Sequence, residues 1–285
     1  MRARRLAPLI WLAPAAALLI PFFVLPIALL LRDSFYRDDP LKLLVPDFTF
    51  ANYARVLSDP YYLQVFGNTL VAAVGIAVLA LLIAYPFAWL MAHATRGGAA
   101  FLVWAVYLPI YASVIMRVFG WMVIIADSGM INRMLLDVGL IASPIHMMNE
   151  AAGMSIGLLH RYLPLMIIPL ATALAKVDAP LLRASANLGA GWWLTWRRVV
   201  LPISLPGAVA GTQLVFAAVL SDYVIPVMLG SPRYQMLAPA VYYEATTNAS
   251  WALAGAIGSL VLLLVVLFLV GMNLIARRFA PWAGL

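Results

Sequence analysis

Residues 180–207 read PLLRASANLGAGWWLTWRRVVLPISLPG, a stretch that parts two long apolar runs with basic residues, helix formers and glycines in close succession. Asp178, just ahead of it, can cap a helix whose first turn tolerates Pro180. Leu181, Leu182, Ser185 and Leu188 then share one side of about three turns. Gly189 and Gly191 permit a left-handed stop and a change of direction. Trp192 to Val200 predicts a second amphipathic piece near the lipid headgroups, anchored by Trp192, Trp193 and Trp196, before Leu201-Pro202 leads into the next apolar run. The expected product is a short helix projecting from a membrane on a bent stalk. Such a helix either docks on a partner or lies in the interface without one.

The rest of the chain supplies the membrane. Of its 285 residues 65% are hydrophobic and only 10% charged, against about 25% charged in a soluble domain. At roughly 20 apolar residues per span this length predicts an all-α polytopic protein with six spans, and leaves no room for a second folded domain of any size. The expected spans are 9–31, 66–92, 99–125, 154–175, 203–229 and 251–276, with residues 177–202 forming a loop between the fourth and fifth. Arg2, Arg4 and Arg5 precede the first run as in a secretory signal, but Leu9–Leu31 is longer than such an apolar core and predicts an uncleaved helix. A short amphipathic piece around Phe50 to Leu57 is stopped by Asp59-Pro60. Pro86 predicts a kink.

Six spans place both termini on one side, and the charges choose the side. Arg2, Arg4, Arg5, Arg96, Lys176, Arg183, Arg197, Arg198, Arg277 and Arg278 fall with the termini, against the single acid Asp178. The opposite loops hold nine acids, Asp33, Asp38, Asp39, Asp47, Asp59, Asp127, Asp137, Glu150 and Glu244, against six bases, Arg32, Arg37, Lys42, Arg55, Arg133 and Arg233. By the positive-inside rule the termini and the 177–202 loop are expected in the cytoplasm of a bacterial inner membrane. The net charge of +7 is thus a topology signal, and no nucleic-acid partner is expected.

Within the loop, Arg183-Ala184-Ser185, then Gly189, then Val199, then Leu201-Pro202 resembles the EAA loop of bacterial ABC importer permeases. That pattern is Glu-Ala-Ala, three residues, Gly, nine residues, Ile, one residue, Leu-Pro, and the register here matches throughout. Gly67-Asn68-Thr69-Leu70, Ala84-Tyr85-Pro86, Arg117-Val118-Phe119-Gly120-Trp121, Leu163-Pro164-Leu165-Met166 and Asp222-Tyr223-Val224-Ile225-Pro226 resemble the branch that serves spermidine/putrescine (polyamine) and opine-type solutes. The resemblance implies a type I ABC importer permease-like fold that moves a solute without hydrolysing ATP. It implies a periplasmic solute-binding protein, a second permease subunit on a different chain, and a cytoplasmic ATPase dimer that grips the loop and uses ATP and Mg. The implied coupling residues are Leu182, Arg183, Ala184, Ser185, Leu188, Gly189, Leu201 and Pro202. No Gly-x-x-x-x-Gly-Lys-Ser/Thr occurs, so the ATPase is expected on a separate chain and no cofactor is expected on this one. Arg183 stands where the family has Glu, which inverts the charge offered to the ATPase. Either the partner is complementary or that contact is not ionic.

Three charges lie inside expected spans, where each costs about 2.5–3.5 kcal/mol on insertion scales. Arg117, Arg161 and Asp222 all fall roughly 10–12 Å below the outer edge at 1.5 Å per residue. A shared depth suggests either a solute locus, with Trp121 and Tyr223 beside it, or an ion pair that only fastens helices. Two arginines against one aspartate suit a carboxylate-bearing solute such as an opine better than a bare polyamine.

Other chemistry is not indicated. His93, His146 and His160 lack metal-ligand spacing, and cysteine is absent. No Gly-x-Ser-x-Gly or paired intramembrane carboxylates argue for an enzyme. A stand-alone secondary transporter is the competing reading, but it predicts an internal inverted repeat and gives the 177–202 loop no role.

Overall fold

A computed structural model describes residues 13–39 and 43–279. Arg2, Arg4, Arg5 and Lys42, used above to choose the side, lie outside the described residues. Helices long and apolar enough to cross a membrane are α1 (Ala13–Asp33), α3 (Pro60–His93), Val114–Asp137, α7 (Ala151–Leu174), α9 (Trp192–Leu220) and α12, of which Trp251–Arg278 spans. Helix α12 runs on to Phe279. Between them lie α2 (Ala51–Ser58), α4 (Arg96–Tyr111), α5 (Val114–Ile125), α6 (Met130–Asp137), α8 (Ala179–Asn187), α10 (Val224–Leu229) and α11 (Leu237–Thr246). The described strands are one antiparallel ribbon, β1 (Arg37–Asp39) and β2 (Leu43–Val45). The described residues form two compact units, those up to 63 with 240–263, and 64–239 with those from 264 onward.

In the first unit the ribbon is pinned by polar side chains. Asp38 accepts from the Ala252 and Leu253 amides at 2.8 and 3.2 Å, capping the start of α12 in trans. Asn52 of α2 donates to the Ser34 and Tyr36 carbonyls. Glu244, expected in an outer loop, instead sits buried in α11, where Tyr62 and Asn248 each donate to it at 2.8 Å. A buried carboxylate in a membrane protein requires such donors.

In the second unit α7 and α9 lie antiparallel in close contact, because α9 has glycine where α7 approaches. A Cβ at Gly207 would lie 2.5 Å from the Pro169 carbonyl oxygen, and one at Gly211 would lie 2.6 Å from Met166 Sδ. Gly207 and Gly211 are spaced as in the small-residue contact motif of membrane helices. Further along, Gly157 of α7 meets Ile225 and Leu229 of α10. The partners fall in number on one helix as they rise on the other, which fixes the antiparallel sense.

Two expected spans are broken. The 99–125 run stops at Tyr111, and extended Ala112 and Ser113 separate α4 from α5. Pro109 has already removed one hydrogen bond from that last turn. The 203–229 run stops at Leu220, because Ser221 Oγ bonds back to the Ala217 and Ala218 carbonyls and Asp222 Oδ1 accepts from the Ile225 amide. These local bonds compete with helix continuation, and Pro226 has no N–H to offer the Asp222 carbonyl. Conversely, Leu201-Pro202 is no boundary. The turn Trp196–Val200 widens so that the Leu201 amide bonds to Trp196 O, five residues back, and the helix passes the proline.

Candidate functional site

The 177–202 loop folds as a capped helix hung between α7 and α9. Asp178 Oδ1 accepts from the Leu181 amide at 3.1 Å, completing the expected N-cap. At the other end Gly189 takes φ +79°, its amide bonds to Ala186 O at 2.9 Å, and the Ala190 amide bonds to Ser185 O at 3.2 Å. This pair of bonds is the Schellman closure. Gly191 is extended and precedes α9, so only the first glycine supplies the left-handed stop.

The sides of α8 differ from the expected apolar stripe. Leu182 is half-buried and Ser185 Oγ meets Thr195 Oγ1 at 2.8 Å, tying α8 to the first turn of α9. Arg183 and Ala184 are exposed, and Leu188 is 89% exposed. Leu188 therefore points away from the side held by Leu182 and Ser185. Beneath α8 an apolar groove of about 1030 Å³ runs between Tyr85 and Trp89 of α3, Leu182, Trp196 and Leu201. At its floor Tyr85 Oη and Ser204 Oγ share a hydrogen bond of 2.8 Å. The root of the loop is held by His93, whose Nε2 lies 2.8 Å from the Val177 carbonyl. Leu201 and Pro202 are half-buried inside α9.

At the opposite ends of the same helices the intramembrane charges meet. Arg161 Nη1 of α7 lies 3.5 Å from Asp222 Oδ2, and Tyr162 Oη donates to that oxygen at 2.8 Å. The Asp222 side chain is 1% exposed and that of Arg161 27%. The Arg161 contact is an ion pair without hydrogen-bond geometry, since Nη1 has no hydrogen-bond partner among the described residues. Arg117 of α5 shares a small void with Arg161, Trp121 and His160. Trp121 Nε1 donates to His160 Nδ1 at 3.1 Å. Thus four of the five residues expected near a solute locus come together. Tyr223 is exposed and lies outside that void. His160 and Tyr162 were not anticipated. Their adjacency to Arg161 was the available signal, because a charge inside the bilayer recruits polar neighbours.

No family profile matches the chain. The spermidine/putrescine transport system permease protein PotB of Haemophilus influenzae is 32% identical over 252 residues, 88% of each chain. The chain belongs to the ABC importer permease family. The inner membrane ABC transporter permease protein YdcU of Escherichia coli is 32% identical over 276 residues, 93% of this chain and 86% of that protein. In fold, this permease is similar to a bacterial ABC transporter that imports the acidic polysaccharide alginate, at TM-score 0.73 and 18% identity over 97% and 96% of the two chains. It is a multi-pass inner-membrane permease of an ABC importer, and the reading as a stand-alone secondary transporter is set aside.

Proposed function

We propose that this permease forms half of a translocation path for a small polyamine, opine or related amino-acid-like solute, and that α8 is where ATP hydrolysis on another chain drives it. The observation that carries this reading is the geometry of α8. It is capped at both ends, tied to α9 by Ser185 and Thr195, rooted at Val177, and turns Arg183 and Leu188 outward. A capped helix of nine residues that turns a charge and a large apolar side chain outward offers a surface for a covering partner. An ATPase dimer using ATP and Mg supplies one, and a push on α8 reaches both α7 and α9 at once. The charge distribution supports a cytoplasmic α8 and cytoplasmic termini.

The remaining partners in this reading are a second permease and a periplasmic binding protein. A neighbour in fold, at TM-score 0.74 and 17% identity, is the alginate transporter in complex with its alginate pentasaccharide-bound periplasmic protein. The polyamine side of the solute range is supported by the spermidine/putrescine transport system to which the Haemophilus relative belongs. Co-purification of the partner ATPase with the intact permease pair tests the docking. Leu188→Asp should abolish attachment, whereas Arg183→Glu should leave attachment and alter the ATP hydrolysed per solute moved. Unchanged attachment of Leu188→Asp would remove α8 as the docking element.

A further inference from the structure

The hydrogen-bonding capacity left open in the Arg117–Arg161–Asp222 cluster is all of one kind. Both oxygens of Asp222 are engaged, by the Ile225 amide, the Tyr162 hydroxyl and the Arg161 charge. Arg117 Nε and Arg161 Nη1 are buried and have no hydrogen-bond partner among the described residues. The Trp121 indole only donates, so it fixes His160 Nδ1 as the acceptor and leaves the ring hydrogen of His160 on Nε2. Arg117, Arg161 and His160, each with one of these donors, thus line one void of about 10 Å³, room for about one water. Buried guanidinium nitrogens without a hydrogen-bond acceptor are costly; Asp222 offsets the charge of Arg161, and no acidic side chain lines the void beside Arg117.

His160 also lines a second, larger space. An apolar groove of about 230 Å³ runs from it between α4 and α7, along Leu102, Val106, Pro109, Leu163 and Ile167. The two cavities meet at the histidine, one offering donors and the other hydrocarbon. We propose that together they form the intramembrane solute station, with Arg117, Arg161 and His160 reading a carboxylate while the carbon body of the solute lies along the groove. This rests on the reading of the chain as an importer of small amine or amino-acid-like solutes, and it selects the carboxylate-bearing members of that range. A bare polyamine brings only donors and positive charge to a place that already has both. A carboxylate brings acceptors that a guanidinium can take in pairs. Admitting a carboxylate requires the void to widen, by a small separation of α5 from α7 at the Trp121–His160 contact.

The test is energy-dependent uptake by cells carrying the whole transporter, comparing labelled putrescine and spermidine with 4-aminobutanoate and an N-carboxyalkyl amino acid. 4-Aminobutanoate keeps one amine of putrescine and replaces the other arm by a carboxylate. The expected result is uptake of one or both carboxylates and refusal of the amines. Arg117→Gln should then raise KM about tenfold or more, the loss of a charge-assisted hydrogen bond, while co-purification of the ATPase is unchanged. Arg117→Lys, which keeps the charge but loses the fork, should fall between; if Arg117→Gln fails to assemble, a raised KM in this variant carries the test. Uptake of amines with refusal of carboxylates would overturn the station and leave the importer reading standing. So would carboxylate uptake with KM unmoved in both variants, which would make the cluster a tie between helices. Uptake of neither set would overturn both readings together.

Discussion

Helices α7 and α9 carry a polar feature at one pair of ends and an apolar feature at the other, and the fold treats them oppositely. At one end Asp222 is sealed in, with Tyr162, Arg161 and a backbone amide around it. At the other end Leu188 stands almost fully exposed on α8, beside an exposed Arg183. A charge in a membrane must find its partners within the protein, since lipid offers none. An apolar side chain has no such compulsion within its own chain, and it can be left exposed. The Asp222 carboxylate finds its partners within this chain, whereas Leu188 finds no cover in it.

The contrast is open to attack by substitution. The largest effect is expected from Asp222→Ala, which removes the acceptor of Tyr162 and of the Ile225 amide and strands Arg161. Breaking a buried pair costs about 3–5 kcal/mol, and the partial exposure of Arg161 places this case at about the lower figure. Thermal unfolding of the purified permease in detergent should show it as a large fall in Tm, and an unchanged Tm would mean that the buried end is not a closed unit.

Gly207→Ala comes next. Its methyl meets the Pro169 carbonyl oxygen and the Ala173 Cβ, and a backbone atom cannot rotate aside, so α7 and α9 separate at a cost of about 1–3 kcal/mol. The same melt measures it. A normal Tm with lost uptake would sharpen the comparison, by showing that the contact transmits motion from α8 without holding the fold.

The smallest effect is expected from Gly189→Ala. A left-handed residue other than glycine costs about 1–2 kcal/mol, but the penalty falls on one exposed helix end and should barely move the global melt. It should instead fray α8, seen as faster amide exchange at Ala184 to Ala190 and weaker ATPase attachment. Unchanged exchange would show that α8 is held by Ser185 and Thr195 rather than by its cap.

Much of the loop was legible beforehand because its determinants are local. Asp178, Pro180 and Gly189 act on their immediate neighbours, and the helix they bound is the one observed. Leu188 was misplaced on the inner side. Spacing alone put it with Leu182 and Ser185, but it is the last residue before the left-handed turn, and the geometry of that turn carries it outward. The interruptions at Ala112 and Ser221 were not anticipated, because apolar composition continues through both and only the competing bonds of Ser221 and Asp222 reveal the second.

By itself the sequence determined a bilayer protein, the existence and capping of α8, and the family to which its spacing points, since hydropathy, caps and motif register are properties of neighbouring residues. Only the tertiary structure decided that Arg117, Trp121, His160 and Arg161 share one void, that Asp222 closes on Tyr162 instead of remaining open, and that Gly207 and Gly211 are the contact between α7 and α9. Those facts depend on the rotation of each helix about its axis and on where α9 ends, which packing against other helices sets and a list of residues does not contain.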